Sequence, residues 1–176
     1  MNLFKNGFVV AEMNVDDLLY RAWPLFELRD DKTAQALTDF ADETWFFVYN
    51  MQHIVPDQNY VKQYLNYCKS IDLQVEVLLF ESWNDAIVID DEVEICEVLG
   101  FDCIGNVYYP YLQTELDACM SELLANNIVP NKYGLLKKLE DVVFFIESRK
   151  REIASGINLE DFWEELPVRI SIVNIP

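Results

Sequence analysis

Thirteen carboxylates and no lysine or arginine lie between Ser70 and Asn131. They are Asp72, Glu76, Glu81, Asp85, Asp90, Asp91, Glu92, Glu94, Glu97, Asp102, Glu115, Asp117 and Glu122. Carboxylates at this density suit three kinds of chemistry: a general acid–base pair, a divalent-cation site, or a surface that attracts something cationic. The first requires two carboxyls held at a set separation across a substrate, and sheer abundance makes any one pair uninformative. The second requires a turn that gathers ligands. Asp90–Asp91–Glu92–Val93–Glu94 lacks the turn glycine and the distal bidentate Glu of a D-x-[DN]-x-[DN]-G loop. The third requires only that the acids lack local partners, and no base lies within sequence reach of them. Their mutual repulsion opposes a compact state, while a body of opposite sign is drawn in faster and held more firmly.

Other catalytic constellations are missing from the sequence. His53 is the single histidine, so a Ser–His–Asp or Cys–His site would depend on it alone. It sits in the turn-like Met51–Gln52–His53–Ile54–Val55–Pro56, away from any G-x-S-x-G. Phosphate-cradling motifs such as G-x-x-x-x-G-K-[ST] and G-x-G-x-x-G do not occur, and the chain has five glycines in all. Cys68, Cys96, Cys103 and Cys119 form neither a C-x-x-C pair nor a zinc spacing; three lie on apolar-patterned segments and read as small buried hydrophobes. The sequence therefore predicts a non-enzyme with no cofactor and no metal, and a reducing cytoplasm as its setting.

The 176 residues predict one domain, residues 1–176. Apolar content of 52% with 14% aromatics is far above that of a disordered acidic tail, so the net charge of −18 describes a folded surface. That charge disfavours direct binding to nucleic acid, which depends on cations releasing phosphate counterions. It disfavours anionic membranes likewise. Met1–Met13 holds an apolar run too short for a secretory leader or a membrane helix. Six of the thirteen basic residues are Lys132, Lys137, Lys138, Arg149, Lys150 and Arg151. They read as a solvated helix face that offsets the acids.

The elements that must position these groups read as follows. Gly7–Met13 is a short strand. Asn14 caps a helix through Leu18, Leu19, Ala22 and Leu25, ended or kinked by Pro24. Asp30 or Asp31 caps another through Ala34, Leu37, Phe40 and Ala41, while residues 45–49 fit either helix or strand. Asp57 caps a helix with two stripes, Tyr60/Tyr64/Tyr67 and Val61/Leu65/Cys68. Leu73–Phe80 is the clearest strand and Ala86–Ile89 a possible second. Asp90–Leu99 reads as a helix begun by the acid cluster, with a strand as the alternative. Thr114 starts a helix through Leu124. Tyr133–Ser155 is the longest helix, with Gly156 at its C′ position. Asn158 caps a short helical turn, and a terminal strand runs over Val168–Val173, with Arg169 outward. The fold class that follows is α+β, a small, mainly antiparallel sheet packed against several helices.

The residues expected to meet a partner are Asp85, Asp90, Asp91, Glu92, Glu94, Glu97 and Asp102, with the adjoining Tyr108, Tyr109 and Tyr111. Aromatics anchor interfaces, and charges around them set encounter rate and partner choice. In composition, and in residues 90–102 with Val107–Tyr108–Tyr109–Pro110–Tyr111–Leu112, the chain resembles the small acidic immunity proteins of bacterial toxin systems. That resemblance implies a stoichiometric inhibitor, monomeric when free. Its partner would be a protein with a basic surface, a cognate toxin, often a nuclease, with the acids standing in for phosphates. A secretion-type chaperone, dimerising through Tyr133–Ser155, and a carboxylate-based hydrolase are the alternatives.

Overall fold

A computed structural model describes residues 3–12, 57–72, 74–83, 88–104, 123–133, 135–156 and 166–176. Six main elements lie among them: β1 (Phe4–Glu12), α1 (Gln58–Ser70), β2 (Val75–Ser82), β3 (Glu94–Ile104), α2 (Leu139–Ala154) and β4 (Leu166–Asn174). The four strands form one sheet in the order β1-β2-β4-β3, every neighbouring pair antiparallel. The architecture is α+β, as the pattern of the sequence predicts. The expected helices at 14–25 and 34–41, residues 45–49, and the turn after Asn158 lie outside the described residues.

β2 explains the core. Its sequence alternates over Val75–Glu76–Val77 and then becomes continuously apolar, which marks a strand covered on both faces. Leu78 and Phe80 join Val9, Leu99, Leu135, Val168 and Ile170 on one face. Val77 and Leu79 join Phe8, Val61, Ile89 and Val173 on the other. Burying such side chains contributes about 1.5–3 kcal/mol each. α1 covers the second face through Val61 and Leu65. Its N-terminus is capped by Asp57, whose side chain accepts from Asn59 N at 2.8 Å. A smaller cluster forms around buried Cys68, with Tyr64, Tyr67 and Ile71.

α2 packs Val142, Phe145 and Ile146 against Cys103, Leu123, Ile128 and Leu136. It begins at Leu139, so the expected start at Tyr133 is corrected. The reason lies in Asn131. Its Oδ1 accepts from Tyr133 N at 2.9 Å and Leu135 N at 3.2 Å, holding these residues in a turn. Leu136 then pairs with β3, where Phe101 N donates to Leu136 O at 2.8 Å and Leu136 N to Phe101 O at 2.9 Å. Gly156, with φ of 74°, takes the left-handed position after α2 that the sequence predicts for it.

The helix expected over Asp90–Leu99 is also corrected: residues 90–93 are extended and β3 begins at Glu94. In a helix, Asp90 and Glu94, Asp91 and Glu94, and Glu94 and Glu97 would be i,i+3 or i,i+4 neighbours of like charge, each pair destabilising. An extended chain rises ~3.3 Å per residue and spreads such acids to about a Debye length. Ile95 and Val98 are β-branched and favour the pleated form as well. Of the Ala86–Ile89 segment, Val88 and Ile89 are described and are not strand; Ile89 N donates to Lys5 O at 2.9 Å. Arg169 does not simply face water. It sits opposite Glu81 on the neighbouring strand and forms a two-point ion pair with it, at 2.7 and 2.8 Å.

Candidate functional site: an acidic sheet edge

β3 is the last strand on its side of the sheet, and its two halves differ. Over Leu99–Cys103 the chain covers its own edge. Beyond the Phe101–Leu136 bridge, Asn131 Nδ2 donates to Leu99 O at 2.7 Å. Gly100 permits this approach: a Cβ there would lie 2.8 Å from both Leu135 Cβ and Leu136 O. Over Glu94–Val98 no segment among the described residues covers the edge in this way, and all five residues are exposed.

The residues leading into this half are anchored by backbone, which leaves their side chains outward. Lys5 Nζ donates to Asp91 O at 2.6 Å, and Gln58 Nε2, from the first turn of α1, to Glu92 O at 3.0 Å. Asp90 and Glu92 are exposed and Asp91 is half-buried. Glu94 and Glu97 continue the acidic line along the strand. Among the described residues, none of these five carboxylates forms an ion pair. Glu94 Oε2 accepts a long hydrogen bond, 3.4 Å, from Asn174 Nδ2. A shallow open depression lined by Lys5, Glu92, Val93, Glu94, Asn174 and Pro176 lies beside them.

Pairing with β4 sorts the strand's two faces. Glu97 lies opposite Ile172, and Ile95 and Val98 lie opposite Val173 and Ser171. Register shifts at Cys96 and Leu99 separate these pairs. The acids therefore share the face that carries Ile172, while Ile95 and Val98, 44% and 49% exposed, project to the opposite one. Two strands away on β2, the Glu76 carboxyl is pushed above its usual value by partial burial and then by the charge of Glu97. Lys132 is a cation in this neighbourhood. Its Nζ lies 4.5 Å from the Tyr133 ring centroid, and Tyr133, with a smaller contribution from Glu97, raises its affinity for its proton.

Of the expected partner-binding residues, the structure places Asp90, Asp91, Glu92, Glu94 and Glu97 along one stretch of chain, all exposed but the half-buried Asp91. Asp102 is corrected: it has no solvent-accessible area, and its Oδ1 accepts from Cys103 N at 2.7 Å. It sits opposite Val168, on the same face as Glu94 and Glu97 but on the covered half of β3, and that cover sets it apart from them. Asp85, Tyr108, Tyr109 and Tyr111 lie outside the described residues, as does His53. Glu76, Ile95 and Val98 are members of this surface that sequence reasoning missed. Ile95 and Val98, three residues apart, fit a helical stripe, and it is the register shift at Cys96 that puts them on one face of the strand.

Among the described residues, no three His, Cys, Asp or Glu side chains converge on a point where a metal ion would be held. No helix among them is long and apolar enough to cross a membrane. What the described residues can do chemically is attract a cationic group beside an exposed strand. Comparison of the chain with known protein families, curated proteins and solved structures found no match.

Proposed function

We propose that this chain is a protein-binding inhibitor of the immunity type, neutralising a cognate toxin by docking its acidic sheet edge on the toxin's basic surface. The observation that carries this reading is the run Asp90–Asp91–Glu92–Val93–Glu94–Ile95–Cys96–Glu97, exposed except at half-buried Asp91 and Val93, its carboxylates without ion-pair partners among the described residues. Acids without ion-pair partners raise the encounter rate with a basic surface and set its orientation. Exposed Ile95 and Val98 add apolar area that charge alone does not supply. The setting proposed is the cytoplasm, which accords with the exposed Cys96 as a free thiol. Phe144 and Phe145 pack in the Cys103 cluster, so neither favours α2 as a chaperone's dimerisation face.

The test is affinity capture from the native host, with Asp90→Asn/Asp91→Asn/Glu92→Gln as the comparison bait. A basic protein whose activity disappears at one-to-one stoichiometry, and which the variant captures far less well, supports the reading. Equal capture by both baits, or turnover of a small substrate by the purified chain alone, overturns it.

A further inference from the structure

Backbone hydrogen bonding distinguishes the two halves of β3. Its Leu99–Phe101 portion is already extended by a piece of this chain, through Asn131 Nδ2 to Leu99 O and the two bonds between Phe101 and Leu136. The portion from Glu94 to Val98 has no such cover among the described residues, and all five of its residues are exposed. An open edge of this kind is a template for another strand.

The geometry points to strand addition: the free half of β3 takes up an extended segment of a basic partner, with alternating cationic and apolar side chains. This rests on the proposed function above and specifies how the acidic edge engages its partner. The alternation follows from the faces of β3. Glu94 and Glu97 lie on the face of Asn174 and Ile172, whereas Ile95 and Val98 lie on the face of Val173 and Ser171. The register shift leaves Cys96 out of the alternation, so Glu94, Ile95, Glu97 and Val98 present alternating faces to an incoming strand of period two. Its lysines or arginines then oppose the glutamates while its apolar residues meet Ile95 and Val98, both favourable cross-strand pairings. Charge selects this occupant over a second copy. Pairing β3 with β3 would bring Glu94 and Glu97 of two chains together, each chain already carrying a net charge of −18.

The probes are three short, terminally blocked peptides of equal charge and composition: alternating Lys-Val, the same peptide N-methylated at every second amide, and a blocked sequence with all lysines preceding all valines. Binding is read by titration, and its position by amide exchange of the full chain. The alternating peptide is expected to bind and to slow exchange within 94–98. N-methylation removes ladder donors and is expected to weaken binding by about tenfold or more. The blocked peptide is also expected to bind more weakly. Equal binding by all three overturns strand addition but leaves the acidic docking reading standing. Binding by none, or protection confined to other segments, overturns strand addition as well. The one-to-one inhibition assay decides the functional reading separately. A dimer of the free chain, with 94–98 protected, identifies a second copy as occupant and equally overturns the proposal.

Discussion

Asn131 marks the boundary between the closed and open halves of β3: its Nδ2 donates to Leu99 O at 2.7 Å, and its Oδ1 receives the amides of Tyr133 and Leu135. One side chain therefore holds both the strand edge and the turn that covers it. Asn131→Ala is expected to cost about 1–3 kcal/mol, because Leu99 O and two amides lose their partner together. Amide exchange at Phe101 and Leu136 should accelerate more than exchange in α1. A uniform acceleration throughout the chain would contradict this local role.

Gly100 lies inside the same contact, at φ of 148°. Gly100→Ala would place a methyl 2.8 Å from Leu135 Cβ and Leu136 O and 3.1 Å from Asn131 Nδ2. The expected cost is about 2–3 kcal/mol, from overpacking and from a backbone conformation that alanine rarely adopts. Urea unfolding checks it; a midpoint unchanged from the parent would show that the covering segment moves aside easily.

Arg169 and Glu81 form a two-point ion pair across β4 and β2, with the Glu81 side chain 7% exposed. The pair also raises the Arg169 pKa, first through its hydrogen bond to Glu81. Arg169→Met leaves a carboxylate buried without its partner and should cost about 3 kcal/mol. Adding Glu81→Met should recover much of that loss, giving a coupling energy above about 1 kcal/mol in a double-mutant cycle. Additive losses would show that the pair is not a unit.

Glu76 carries a stability signature in pH. Burial and the charge of Glu97 hold its carboxyl above the usual value, so the folded protein binds this proton more tightly than the unfolded chain. The associated stability is fully present below the unfolded value and is lost as pH rises through the folded one. At neutral pH the ionised side chain is a net cost. Glu76→Gln should then stabilise the protein by a few tenths of a kcal/mol at pH 7, and the gain should fade as pH falls through the raised folded value and be gone below about 4. A variant less stable than its parent at pH 7 would contradict the sign.

The sheet was legible where one rule dominated. Continuous apolarity over Val77–Phe80 marks a strand covered on both faces, Asp57 announces the start of α1, and Gly156 the end of α2. Two segments were misread for a common reason: tertiary partners outweighed local pattern. Leu135 and Leu136 fit a helical stripe, yet Asn131 and Phe101 hold them extended. The acids of 90–97 fit a helix start, yet like charges at helical spacing favour an extended chain. The acidic line itself was visible as charge; Asp102 was not separable from it, because its burial depends on which half of β3 is covered.

The docking role of the acidic edge is tested most directly by association kinetics with the protein captured from the native host. The comparison is the parent chain against Asp90→Asn/Asp91→Asn/Glu92→Gln/Glu94→Gln/Glu97→Gln. Neutralising the line should slow association by about tenfold or more at low salt and flatten its dependence on ionic strength. Thermal stability should stay level or rise, since like-charge repulsion is relieved. An unchanged association rate with an unchanged salt slope would show that these carboxylates serve only as a solvated face.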